Sequence, residues 1–209
     1  MIKLLKSILV GVFSVVVFAA IAIGLLLSNN LLYKADVKWL NIEEFSGYSS
    51  EVAIRNYDAV IKFLSPFHSD PFSMPDIPFS ESGAFHFEEV KNIVVGLYIF
   101  GAASLCANII ILLLTKKQNR REILRKGAIV SLIFPIAIGT AIALNFDRFF
   151  VLFHKVFFNN DYWMFDYRTD PVITILPEEF FMHCAIFIAF ILIAGFAVLF
   201  LLSRKRKGS

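Results

Sequence analysis

Four long apolar stretches punctuate the chain, at about 7–27, 92–114, 128–144 and 181–202, and each reads as a membrane-spanning helix. A span needs about 20 mostly apolar residues, because each adds ~1.5 Å of helix across a hydrocarbon core ~30 Å thick. The first, Ser7 to Leu27, is broken only by Ser14 and glycines, and the second covers Asn92 to Leu114. The third, Ala128 to Leu144, is shorter and carries Pro135 and Gly139, which remove an amide donor or loosen the backbone. The fourth runs from Phe181 to Leu202.

Two polar segments separate these spans on one side, 28–91 and 145–180. The first is too long for a mere connector. Val52, Ala53, Tyr57, Val60, Ile61 and Leu64 recur at 3–4 spacing and predict an amphipathic helix over 48–65, stopped by Pro66. Its apolar face has two possible partners, the rest of the loop domain or the lipid headgroups. Ser65 to Pro78 carries Pro66, Pro71, Pro75 and Pro78, which predicts an extended segment held by its phenylalanines. The second segment is crowded with aromatics, from Phe146 through Phe157, Phe158, Tyr162, Trp163 and Phe165 to Tyr167. Such a cluster at a membrane boundary suits an interfacial belt.

The charges give the spans a direction. Lys3 and Lys6, the 116–126 loop with Lys116, Lys117, Arg120, Arg121, Arg125 and Lys126, and the tail with Arg204, Lys205, Arg206 and Lys207 hold most of the 20 basic residues. Of the 17 acidic residues only Glu122 lies on that side. Cytoplasmic flanks retain lysine and arginine, so both termini are expected in the cytoplasm and segments 28–91 and 145–180 outside. The net charge of +3 is then a topology signal and gives no reason to expect a nucleic-acid partner. The first apolar stretch also has the flanks of a signal peptide, but its length exceeds the usual 7–15-residue core and argues for a retained anchor.

Composition agrees with a membrane protein: 58% of residues are hydrophobic, 15% aromatic, and the mean hydropathy is +0.72. The expected fold class is mainly α: a single membrane domain over 1–209, built as a four-transmembrane-helix bundle with a small extracytoplasmic domain formed by the two outer loops. Cys106 lies within the second span and Cys184 near the outer end of the fourth, so neither a stapled ectodomain nor a CxxC relay is expected.

All four histidines, His68, His86, His154 and His183, fall in the outer loops or the first outer turn of a span. Histidine exchanges a proton near neutral pH, so a pair at one depth suits general acid–base chemistry. A single histidine is more often a hydrogen-bonded structural residue, and a zinc site competes for the same side chains. No HExxH or similar pair occurs, and neither does a GxSxG turn. Asp147 precedes His154 by two helical turns, on one face but beyond direct contact. An organiser of the claudin or tetraspanin kind would share the four spans but staple its ectodomain with cysteines. A transporter would place charged residues within its spans, and these carry no Lys, Arg, Asp or Glu.

The segment Phe153-His-Lys-Val-Phe-Phe-Asn-Asn-Asp-Tyr-Trp-Met-Phe-Asp-Tyr-Arg-Thr-Asp170, followed by Pro177-Glu-Glu-Phe-Phe181 and preceded by Phe85-His-Phe-Glu-Glu-Val-Lys91, closely resembles the bacterial lipoprotein intramolecular transacylases. The resemblance spans the chain in topology and loop sizes. It implies an integral cell-membrane acyltransferase that needs no cofactor or metal, works among membrane lipids at the outer leaflet, and takes a diacylglyceryl lipoprotein as substrate. The sn-2 acyl chain would pass to the α-amino group of the N-terminal cysteine, giving the lyso-form lipoprotein. By the same resemblance His86 is the general base and His154 its partner at the ester or the leaving oxygen, although which does which stays open. Trp163 and Asp166 would shape the site. Glu88 and Glu89 stand where the family pattern has aspartate. Gly96, Gly101, Ala102, Ala103 and Gly139 are candidates for close helix packing beside a groove for acyl chains.

Overall fold

A computed structural model describes residues 1–204; Lys205, Arg206 and Lys207 of the basic tail, and positions 208–209, lie outside the described residues. The chain is helical, in the order α1 (Ile2–Leu27), α2 (Leu31–Trp39), α3 (Ile42–Ser46), α4 (Ser50–Leu64), α5 (Glu81–Leu113), α6 (Lys117–Leu144), α7 (Phe146–Phe157), α8 (Val172–Ile175) and α9 (Glu178–Ser203). Among the described residues α1, α5, α6 and α9 are long and apolar enough to cross a membrane. Each contains one apolar stretch of the sequence, and α1, α5 and α6 begin well before theirs. Backbone hydrogen bonding does not stop where the apolar run stops, so polar turns are carried on the same helices. α6 continues through Pro135.

The residues pack as two compact units. Among the described residues the apolar unit comprises Met1–Ile23, Leu97–Ala143 and 185–204. Small residues let its helices approach: a Cβ on Gly11 would strike the carbonyl of Gly127 and the side chain of Val130, one on Gly101 would strike Ala20, and one on Gly195 would strike the Phe18 ring. Of the glycines expected to pack, Gly101 does so, whereas Gly96 and Gly139 face open space. Asn108 donates to Ser14 Oγ at 3.2 Å, one of few polar links inside this unit. Cys106 and Cys184 are both free.

The loop unit, Gly24–Gly96 and Leu144–Cys184, has a hydrophobic core of its own. The amphipathic helix expected over 48–65 is α4, capped by Ser49, whose side chain accepts from the Val52 amide. Its apolar face turns inward: Ala53, Tyr57, Val60, Phe63 and Leu64 are buried in that core. Tyr33 of α2 stacks on Tyr57 at 4.1 Å, meets Phe180 edge-on, and donates to the carbonyl of Ile175 at 2.7 Å. The proline-rich segment after α4 forms no regular helix and runs through a turn and bends, with Phe72, Met74 and Ile77 buried and Phe72 stacked on Phe87 at 4.4 Å.

Candidate active site

The start of α5 is held by a network that the sequence does not announce. Ser80 Oγ accepts from the Gly83 amide at 2.9 Å, as an N-cap does, while Ser80 donates through its own amide and hydroxyl to Asp170 Oδ1 at 2.8 and 2.9 Å. Asp170 is 4% exposed, and a Cβ on Gly83 would overlap its carboxylate. This clamp sets the register of the first α5 turns and with them His86.

His86 is 6% exposed and boxed by aromatic rings, with Phe158 at 4.6 Å edge-on and Phe165 at 5.5 Å. Burial, with the neighbouring His154 second, holds its imidazole down to about 4, so the ring is neutral at physiological pH. Its Nδ1 is buried without a hydrogen-bond partner and lies 3.9 Å from Glu89 Oε2.

His154 comes from α7, which Asn145 starts by accepting the Arg148 amide through its side chain. The ring centroids of His154 and His86 are 6.0 Å apart, tilted by 35°. Trp163 stacks on His154 at 4.7 Å, and Phe150 packs against the same imidazole at 4.2 Å, tilted by 50°. His154 Nδ1 is 2.7 Å from the Phe150 carbonyl, an acceptor only, so Nδ1 carries the hydrogen and the neutral ring presents a lone pair at Nε2. Burial lowers this imidazole as well, opposed by that hydrogen bond.

Of the residues singled out in the sequence, His86, His154 and Trp163 converge. Asp147 does not join them: it lies in the first turn of α7, lines a shallow cleft with Arg148, Val151, Leu152 and Lys155, and after burial is the main cause that raises the carboxyl of Glu178. Asp166 is turned to Arg168, whose guanidinium donates to both its oxygens at 2.6 to 3.1 Å and holds it down to about 2. The other two histidines are engaged elsewhere. His183 pairs with the buried Asp36 at 2.8 Å, and His68 sits 3.9 Å from Asp70. Among the described residues no three of His, Cys, Asp and Glu gather as a metal site requires.

The aromatic crowding of 145–180 divides in two. Phe150, Phe158, Trp163 and Phe165 build the box around the imidazoles, while Phe153, Phe157, Tyr162 and Tyr167 stay exposed as a belt would. Asn160 is the residue that the sequence reading missed. Its side chain donates to Glu89 Oε1 at 2.8 Å, and its carbonyl accepts from Trp163 Nε1 at 3.1 Å. Its only sequence signal is its place in the Phe-Phe-x-Asn element.

The model of one family, described as lipoprotein intramolecular transacylase Lit, matches residues 8–181 of this chain. The chain belongs to that family. Three solved structures of the membrane-integral lipoprotein intramolecular transacylase from Bacillus cereus are similar to it at 35% sequence identity. The first covers 96% of this chain and 94% of its own at a TM-score of 0.89. The others, a histidine-to-arginine and a histidine-to-alanine variant, each cover 97% of this chain, and 90% and 92% of their own, at TM-scores of 0.85. No curated protein matches the sequence. The family is one of enzymes, and membership makes this chain a multi-pass membrane acyltransferase of lipoprotein modification, with the expected mainly α fold.

Proposed function

We propose that this transacylase moves the sn-2 acyl chain of a diacylglyceryl lipoprotein onto the α-amino group of its N-terminal cysteine, with His86 and His154 handling the protons. The observation that carries the reading is the approach of two buried, neutral imidazoles from separate helices inside an aromatic box.

Ester and amine belong to one molecule, so proximity is largely built into the substrate, and the barriers left are protonic. An α-amino group has a pKa of ~8 and is mostly ammonium at neutral pH. It must lose one proton to become a nucleophile and a second as the amide forms, while the leaving glycerol oxygen must gain one. His86 takes the first proton and releases it to water. His154, its Nδ1–H anchored on Phe150, collects the second at Nε2 and delivers it to the glycerol oxygen. A C–N bond forms, the C–O ester bond breaks, and both imidazoles return neutral. The apolar box disfavours a lasting imidazolium and so favours prompt return of each proton. Trp163 and, at greater remove, Asp147 and Asp166 shape the surroundings.

The charge asymmetry supports cytoplasmic termini and a reaction at the outer leaflet, since the loop unit that holds the histidines carries the acidic segments.

The test is mass spectrometry of the N-terminal lipopeptide of a reporter lipoprotein, expressed in a host without N-acylation. Wild type is expected to give N-acyl, S-monoacylglyceryl cysteine at unchanged total mass, and His86→Ala or His154→Ala to leave the diacylglyceryl form. A folded wild type that leaves the lipopeptide untouched would overturn the reading.

A further inference from the structure

The transacylation reading gives Glu89 and Asn160 no part, yet they connect the two imidazoles. Glu89 lies one helical turn after His86, with its side chain about three-quarters buried at 24% exposure. Asn160 holds Oε1 through its amide N–H at 2.8 Å, while Oε2 is buried with no hydrogen-bond partner and faces His86 Nδ1, also unpartnered, at 3.9 Å. Two bare acceptors facing each other in a closed interior are unfavourable, and one shared proton satisfies both. A carboxylate accepts only, so that proton belongs on His86 Nδ1, which leaves the lone pair on Nε2. Asn160 also accepts from Trp163 Nε1 through its carbonyl, and Trp163 stacks on His154. The amide of Tyr162 donates to Asn160 Oδ1 at 3.0 Å, which orients the Asn160 amide group so that its N–H points at Glu89.

We propose that Glu89 is a positioning residue that fixes the tautomer of His86, with Asn160 as the tie that holds Glu89 and aligns it with the Trp163–His154 stack. The geometry is that of a carboxylate orienting a catalytic imidazole through the nitrogen that does not react. The 3.9 Å separation is longer than a hydrogen bond and closes by a small rotation of either side chain. The titratable groups facing His86 are Glu89 from its own helix and His154 from α7, while Phe158 and Phe165 bring no charge.

The inference rests on His86 acting as base, and the experiment separates the two. Glu89→Gln keeps shape and the acceptor for Asn160 but turns an amide NH2 toward Nδ1, which traps His86 as the Nε2–H tautomer with no lone pair for the substrate. With purified full-length protein and a diacylglyceryl lipopeptide, kcat is expected to fall by up to about 10,000-fold, the order seen when a catalytic imidazole is held in the wrong tautomer. KM should be unchanged. Asn160→Ala, which releases Glu89 without removing its charge, should lose about tenfold, and Glu89→Asp should recover part of the Glu89→Gln loss. The imidazole 15N shifts of His86 read the tautomer independently of turnover: Nδ1–H in wild type, Nε2–H in Glu89→Gln. Wild-type kcat in Glu89→Gln, or a wild-type His86 spectrum with the proton on Nε2, sinks the proposal. A wild type without transacylase activity whose His86 still changes tautomer in Glu89→Gln overturns the reaction and leaves the positioning role standing.

Discussion

His86 and His154 come from different helices, yet their rings stand 6.0 Å apart, each neutralised by burial and each bordered by Phe158. The pair is coupled by position: a proton on one ring raises the cost of a proton on the other, so at most one imidazolium is comfortable at a time.

Burial of the two rings, with repulsion by His154 second at His86, makes stability depend on pH. The folded His86 is held down to about 4 against 6.5 in the open chain, so between those values the unfolded state binds a proton that the native state refuses. Stability is complete above pH 6.5 and is lost as pH falls toward 4, by on the order of 3 kcal/mol. His154 acts in the same direction. Thermal unfolding in detergent between pH 7 and pH 4.5 should show a falling Tm in wild type and a much flatter profile in His86→Phe. Parallel profiles would show that the ring is not buried neutral.

Trp163 gives His154 its face-on neighbour. Such a contact is worth about 0.5–1.5 kcal/mol, so Trp163→Ala should slow lipopeptide conversion by about two- to tenfold while Trp163→Phe keeps most of the rate. A time course by mass spectrometry decides it. Equal rates for wild type and Trp163→Ala would remove Trp163 from the site.

The Ser80–Asp170 clamp leaves no room at Gly83. Gly83→Ala forces the Asp170 carboxylate off two donors and should cost about 1–3 kcal/mol in chemical unfolding. Glu88→Ala, on an exposed position of the same helix, serves as the control and should change little. A Gly83→Ala protein as stable as wild type would mean that the clamp relaxes without loss.

Asp36 is wholly buried, with one oxygen on His183 and the other unpartnered, and burial raises its carboxyl while the His183 hydrogen bond opposes the rise. Asp36→Ala strips a half-buried imidazole of its partner and should destabilise the loop unit by about 2 kcal/mol. Hydrogen exchange should report it first in α2 and in the first turns of α9. Unchanged protection there would count against the pair as a fastener.

Much of this protein was legible in one dimension. A helix in lipid must satisfy its own backbone and show an apolar surface for about 20 residues, so the four long helices are written as four apolar runs. The Phe-His, Trp and Pro-Glu-x-Phe-Phe elements carried the family, because a local motif survives reading without a fold. Helix α4 was legible for the same local reason, through its 3–4 periodicity. The site was legible only in part. His86 and His154 could be named, but that they meet while His68 and His183 do not is decided by packing between helices distant in sequence. Asp166 lies in the same motif as Trp163 and yet pairs with Arg168, because an exposed carboxylate takes the nearest guanidinium. Asn160 and Glu89 were invisible as a unit, since a hydrogen bond across two segments leaves no periodicity and no spacing in the chain. The sequence alone determined which segments are helices and what chemistry they carry. Only the tertiary structure decided which of those groups share a dry box, because burial and mutual distance are properties of the packed chain.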